Sequence, residues 1–272
     1  MEPGEPLVES RGTRIALGVW VALVLAFLYI PIAVICFYAF NSSNVQSWPI
    51  AGVTTRWFSP AIHNGDMQHA LGLSLKAAAL ATATALVLGS AAAFGVHRFR
   101  FFGRESISFL LVLPIALPGI ITGMALNSYF TFWKFNFGLL TIVIGHATFC
   151  VVVVYNNVIA RLRRVPGSLT EASMDLGADG IQTFRYVTFP TISTALISGG
   201  LLAFALSFDE VIVTTFTAGA NNTLPIWIFG QIRLGQQLPQ VNVVVFIILA
   251  VTILPVALAQ RLTRESGILR TE

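Results

Sequence analysis

The sequence predicts an all-α integral membrane protein with six transmembrane helices and both termini on the cytoplasmic side. Three observations carry that expectation. Of 272 residues, 56% are hydrophobic and only 10% are charged, against about 25% charged in a soluble domain. The apolar residues gather into six long runs separated by polar segments, and a helix of about 20 residues crosses roughly 30 Å of hydrocarbon. Third, twelve of the sixteen Lys and Arg residues fall in the tails or the even-numbered loops, and only Arg56, Lys134 and Arg233 fall in the odd-numbered ones. Positive charge is retained on the cytoplasmic side, which places both tails there. The net charge of +4 is scattered in short clusters between oily runs. It makes no basic face for a phosphate backbone, so nucleic acid is excluded as a partner and the lipid membrane is the expected one.

Residues 1–14 form a polar tail of mixed charge, with Arg11 and Arg14 just before the first apolar run, 15–40. That run is too long for a signal-peptide core and lacks a small-x-small cleavage site, so it reads as a retained span, with Pro31 a point where it can bend. Residues 41–67 are a polar loop carrying Trp48, Trp57 and Phe58, as suits a segment at a membrane interface. The second span, 69–96, is rich in alanine, and small residues let helix backbones approach closely in lipid, so it is expected inside the bundle. Lys76 near its start reads as a snorkelling residue before a functional cation. Arg98, Arg100 and Arg104 crowd the next short loop.

The third span, 106–130, contains Pro114, Pro118 and Gly119-x-x-x-Gly123. Prolines break the backbone ladder, which a membrane tolerates only against protein or a water-filled cavity. A structural kink and a helix lining a pathway both fit that pattern. After a brief loop with Trp133 and Lys134, the fourth span covers 139–160. His146 within it fits a side chain hydrogen-bonded inside the bundle, with a pathway role as the alternative. The fifth span is expected at 191–216, a loop at 217–240, and the sixth span at 241–259. The transmembrane region thus occupies 15–260, and residues 261–272 form a tail with Arg261, Arg264 and Arg270. Cys36 and Cys150 both lie in apolar runs, so neither a disulfide framework nor a metal site is indicated.

One polar stretch, 168–190, interrupts this pattern, following Arg161, Arg163 and Arg164. Ser168 and Glu171 have the spacing of a capping box, and Asp179 and Gln182 repeat it. Gly177 can take the left-handed conformation that ends a helix. Leu169, Ala172 and Leu176 share one helical face; Ile181, Phe184 and Val187 share another. The stretch predicts two short helices joined at 177–180, with a new helix able to begin at Pro190. Helices this short are marginal alone in water, so their apolar stripes need a partner surface.

The same stretch resembles the cytoplasmic signature loop of membrane subunits of binding-protein-dependent ABC importers. That pattern is Glu-Ala-Ala, three residues, Gly, nine residues, Ile, one residue, Leu-Pro. Here it reads Glu171, Ala172, Ser173, then Gly177, then Val187, Phe189 and Pro190. The spacing is kept, and Ser173, Val187 and Phe189 replace Ala, Ile and Leu. The resemblance implies a type I ABC importer permease fold, with 161–190 as the loop that couples to an ATPase. It also implies cytoplasmic ATP-binding subunits, a second homologous permease subunit, an extracytoplasmic solute-binding protein, and a place in the bacterial inner (plasma) membrane.

A second resemblance concerns the substrate. Ser207-Phe208-Asp209-Glu210, Thr223-Leu224-Pro225, Arg233-x-Gly235 and Pro239-x-x-Asn242 are similar to the spermidine/putrescine branch of these permeases. Glu210 stands for the usual second Asp, one extra residue separates Gly235 from Pro239, and Val243 stands where Ala is usual. An unpaired carboxylate at membrane depth costs at least about 2.5 kcal/mol. Asp209 and Glu210 therefore need a cavity, a basic neighbour or a cationic substrate, and both a structural pair and a pathway role remain open. No catalytic residues, cofactor or metal ligands are expected: the chain has no phosphate-binding Gly-x-x-x-x-Gly-Lys-Ser/Thr loop, so ATP hydrolysis would reside in a partner. The alternatives are an importer of the same type for another small solute, a secondary transporter working without an ATPase, and a membrane scaffold. A secondary transporter would normally show an internal repeat or ion-coordinating broken helices, and no repeat is visible.

Overall fold

The computed structural model describes residues 11–99 and 102–268, with side chains described as far as residue 253. The expected tail residues 1–10, Arg100 and Arg270 lie outside the described residues, as do the side chains of Arg261 and Arg264. In chain order the helices are α1 (Arg11–Ala39), α2 (Phe58–Ile62), α3 (Gly65–Arg98), α4 (Arg104–Ala116), α5 (Gly119–Phe132) and α6 (Leu139–Leu162). They continue with α7 (Gly167–Asp175), α8 (Gly180–Thr183), α9 (Phe189–Phe208), α10 (Ile212–Thr217), α11 (Leu224–Leu234) and α12 (Leu238–Ile268). Among the described residues, β pairing is limited to one isolated bridge, Asn41 with Val53.

Among the described residues, four helices are long and apolar enough to cross a membrane: Arg11–Ala39, Gly65–Arg98, Leu139–Leu162 and Gly180–Phe208. The third expected span is instead a bent pair, α4 and α5, whose axes turn by 101°. The sixth is represented by α12, which runs well beyond residue 259 into the segment expected as a tail. The expected loop 217–240 contains α11, a helix that begins one residue before Pro225, a position where proline's missing N–H has no helical partner to lose.

The chain divides into two compact units, one of residues 65–230 and one of the segments 1–64 and 231–272. In the second, Phe40, Phe58 and Phe246 bring α12 against α1 and α2, with ring centroids 5.2 Å apart from Phe40 to each of the others. The loop after α1 folds around buried Asn41. Its Oδ1 accepts from the backbone of Ser43 at 3.1 Å and Ala51 at 3.2 Å, while Trp57 Nε1 donates to its backbone carbonyl at 2.9 Å.

In the unit 65–230, α3, α6 and α9 form the core. Ala77, Ala78, Ala81, Ala85, Gly89 and Ala93 make a buried stripe along α3, and Val154, Val158 and Ile159 answer it from α6. Lipid gives little hydrophobic drive between helices, so close van der Waals contact must hold them. Gly89 shows how close that contact is. A methyl group there would lie 2.8 Å from the Val151 carbonyl oxygen and 3.1 Å from the Tyr155 nitrogen. The alanine-rich span is therefore an inside helix on this face, as its composition suggests.

Gly72 on the same helix has open space around it, which makes it a control. Gly89→Ala should lower stability in detergent by about 1–3 kcal/mol through overpacking, and Gly72→Ala should not. Thermal unfolding followed by size-exclusion chromatography reads the difference, and equal midpoints for the two variants would disprove the close packing.

Candidate functional site

Two features of the unit 65–230 gather the polar residues that the sequence marks as functional: the α7–α9 loop and a joint between two interrupted helices. The loop begins differently from expectation. Pro166 occupies the N-cap of α7, with extended ψ of 132°, and no side chain caps the helix. Ser168 already lies inside the first turn, whereas a cap must have non-helical backbone angles, so the Ser168–Glu171 capping box does not form. The end of α7 is as expected. Gly177 has φ +88°, its N–H donates to the Met174 carbonyl at 2.9 Å and Ala178 N–H donates to that of Ser173 at 3.1 Å. Those two bonds make a Schellman closure.

The Asp179 box forms in full. Asp179 Oδ1 accepts from the N–H groups of Ile181 and Gln182, each at 2.8 Å, and Gln182 Oε1 accepts from Asp179 N–H at 2.9 Å. Beyond the box, no separate second short helix forms. Through a π turn, Phe184–Thr188, α8 runs directly into α9, giving one helix over Gly180–Phe208. Phe189 N–H bonds to the Phe184 carbonyl, five residues back. The widened turn accommodates Pro190, which lacks a donor and would clash in a regular turn. No new helix begins at Pro190 for that reason.

The loop residues fall into two sets. Ser173 Oγ lies 3.1 Å from the buried Thr183 hydroxyl and ties α7 to α8, a bond that alanine at this place would lack. Val187 is half-buried, and Phe184 packs against Phe94 of α3 with ring centroids 5.5 Å apart. Glu171, Ala172, Gly177, Phe189 and Pro190 are exposed. Leu176 is 90% exposed and Ile181 79% exposed, so the loop presents two large apolar side chains outward. Behind it, a cleft of about 730 Å³ is lined by Phe94, His97, Glu171, Thr183 and Val187.

The first helix interruption lies at Leu117 and Pro118. Leu117 has φ −79° and ψ 140°, the extended conformation that a following proline imposes. The second lies at Asp209 and Glu210. There α9 stops with Asp209 as its C-cap, and α10 restarts at Ile212. The expected span 191–216 is thus interrupted, and its apolar end is a separate buried piece. The segments after the two interruptions pack on each other. Asn127 Nδ2 of α5 donates to the Phe216 carbonyl of α10 at 2.7 Å. Thr141 Oγ1 of α6 donates to the Thr217 carbonyl at 2.7 Å. Where they meet is a cavity of about 180 Å³ lined by Pro114, Leu117, Gly119, Thr122, Phe149 and Glu210, among others.

His146 of α6 holds the second interruption together. It is 1% exposed, with Nδ1 2.7 Å from Ser207 Oγ of α9 and Nε2 2.7 Å from Thr214 Oγ1 of α10. The Thr214 hydroxyl donates its proton to the Glu210 carbonyl at 2.7 Å. It must then accept from Nε2–H, and in the neutral ring that burial favours Nδ1 accepts from Ser207. A neutral imidazole so bridges both sides of the gap. Glu210, half-buried, also accepts through Oε1 from Val213 N–H at 3.0 Å and caps α10. Asp209 is exposed. The two acids are adjacent in sequence but occupy different surroundings, and Glu210 is the one that lines the cavity.

Residues 85–265 match the family model described as the inner membrane component of binding-protein-dependent transport systems. The chain belongs to this family. The matched region contains the α7–α9 loop and both interruptions. The putrescine transport system permease protein PotI of Escherichia coli (strain K12) is 39% identical to this permease over 232 residues, 82% of each chain. The spermidine/putrescine transport system permease protein PotC of the same organism is 30% identical over 254 residues, 93% of this chain and 95% of PotC. A solved bacterial ABC transporter involved in the import of the acidic polysaccharide alginate shares the fold, with TM-score 0.69 and 16% identity over 94% of this chain and 99% of the other.

In this permease Thr122, Phe149 and Thr214 belong to the joint, and sequence reasoning did not select them. A hydroxyl four residues after Pro118 was the available signal for Thr122. The bridge by His146 supplies a test. Two hydrogen bonds of about 0.5–1.5 kcal/mol each are lost in His146→Ala, so amides of residues 211–217 should exchange roughly tenfold faster. Unchanged hydrogen exchange in that segment would show that His146 does not hold it.

Proposed function

We propose that this chain is the permease subunit of an ABC importer that carries a polyamine of the putrescine or spermidine class across the bacterial inner (plasma) membrane. The observation that carries the reading is the match over most of both chains to relatives named as putrescine and spermidine/putrescine permeases. In this reading residues 15–260 form six spans, with the bent α4–α5 pair as the third and α12 as the sixth. Both termini and the loop 161–190 face the cytoplasm, as the distribution of Lys and Arg favours. The complex comprises ATP-binding subunits, a second homologous permease subunit and an extracytoplasmic solute-binding protein. This chain needs no cofactor, because ATP is hydrolysed by the partner.

Coupling runs through the loop formed by Glu171, Ala172, Ser173, Gly177, Val187, Phe189 and Pro190. The exposed Leu176 and Ile181 side chains suit a groove on the ATP-binding subunit. The continuity of Gly180–Phe208 supports a mechanical link, since a rigid helix at about 1.5 Å per residue transmits displacement of the loop to the interruption at Asp209 and Glu210. Those two carboxylates stand on the pathway and meet the ammonium groups of the substrate.

The test is copurification with the ATP-binding subunit, then uptake and ATP hydrolysis in proteoliposomes containing the binding protein and putrescine. Uptake that needs no ATPase would make the chain a secondary transporter, and import of another solute alone would remove the polyamine. At Gly177, whose φ is +88°, a leucine forces a left-handed side-chain residue costing roughly 1–2 kcal/mol. Gly177→Leu and Glu171→Lys should insert normally yet uncouple hydrolysis from transport. Full uptake by both at equal expression would refute the coupling role.

A further inference from the structure

We propose that the cavity between the two interruptions is a site for one primary ammonium group, with the Glu210 carboxylate and the Thr122 hydroxyl as its acceptors. This rests on the polyamine reading and adds to it a place, a second acceptor and a stoichiometry. Three observations lead there. Thr122 lines the cavity, and its hydroxyl oxygen is buried without a hydrogen-bond partner among the described residues. A polar atom left so is costly unless a ligand completes it. Glu210 lines the same space, and its capping of α10 occupies Oε1, while a carboxylate has further acceptor capacity on its other oxygen.

The third observation is electrostatic. Each interruption contributes one helix carboxyl end, from α4 or α9, and one amino end, from α5 or α10. Half-charges of about −0.5 and +0.5 at such ends offset one another. The formal charge of Glu210 therefore sets the sign of the site, and that sign is negative. The rest of the lining, including Pro114, Leu117, Phe149 and Leu206, is apolar. A bare alkali cation needs several oxygen ligands and finds two side-chain acceptors here. An alkylammonium needs few acceptors, and its methylene stem suits apolar walls. The ring of Phe149 adds an aromatic surface of the kind cations favour. Asp209, exposed outside the cavity, is left to meet the other ammonium group of the same substrate.

The assembled importer with its binding protein, reconstituted in proteoliposomes, provides the test. Thr122→Val keeps the shape and removes the acceptor; Thr122→Ser restores it. Glu210→Gln removes the charge but keeps an oxygen for Val213 N–H. Per assembled complex, Thr122→Val and Glu210→Gln should each slow putrescine uptake by roughly tenfold or more, with Thr122→Ser within about twofold of the native rate. A Thr122→Val variant at native rate, or a Thr122→Ser variant as slow as Thr122→Val, overturns the proposal. Thiol labelling decides the matter even where those variants fail to assemble. With Cys36 and Cys150 replaced, Thr122→Cys should react at least about tenfold faster with an aminoethyl thiosulfonate than with its neutral methyl counterpart, and putrescine should protect it. Equal rates without protection overturn the site. Should the native complex import some other solute, the polyamine reading fails, while the ratio of cationic to neutral labelling still decides the charge of the cavity.

Discussion

A helix backbone interrupted inside an apolar bundle must find new partners for the amides and carbonyls it frees, because apolar surroundings offer none. That constraint organises the unit 65–230. The segments that follow the interruption at Leu117 and Pro118 and the one at Asp209 and Glu210 pack on each other, and the second draws its partners from other helices. Asn127 reaches from beyond the first to the backbone beyond the second. His146 reaches both sides of the second, and Glu210 caps the short helix that restarts there. Without them a six-residue helix such as α10 has too little of its own to persist.

The same constraint explains why the core around the joint is built from small residues. Short interrupted pieces cannot pack by long regular ridges, so α3, α6 and the long α9 ahead of its interruption carry the scaffold, and they do so at near-contact of backbones. Gly89 on α3 faces the backbone of α6, while Gly199 on α9 would place a methyl group 3.4 Å from Val154 Cα. A scaffold this close is stiff, and stiffness is what the proposed coupling along the helix Gly180–Phe208 requires.

How much of this was legible in the chain depends on the range of the interaction. Local chemistry was readable: Gly177 closes α7 in the left-handed conformation, Asp179 and Gln182 cap α8, and the alanine-rich run is an inside helix. Pro118 announced an interruption, though not its 101° turn, which is set by where α5 finds α10. The capping box at Ser168 was misplaced because Pro166 starts the helix earlier. Pro190 looked like a start because a π turn leaves no sequence mark. The gap after Phe208 has no Gly or Pro to signal it. It is fixed by His146 bonds that join residues 61 and 68 positions apart, and no local pattern encodes those. The absence of a visible repeat argued against a secondary transporter, yet interrupted helices are present; the family match now carries that distinction.

The central claim is that the segments following the two interruptions lie side by side, and cross-linking measures it directly. A Cβ built at Gly123 lies 3.3 Å from Phe216 Cβ, close to the roughly 3.5–4.5 Å that a disulfide bridges. With Cys36 and Cys150 replaced, a Gly123→Cys, Phe216→Cys double variant in native membranes should form an internal disulfide under mild oxidation and lose both reactive thiols to a maleimide-polymer shift assay. A double variant that keeps two free thiols after oxidation, at a yield where each single variant labels normally, would mean that α9 continues unbroken past Asp209 and that the joint does not exist.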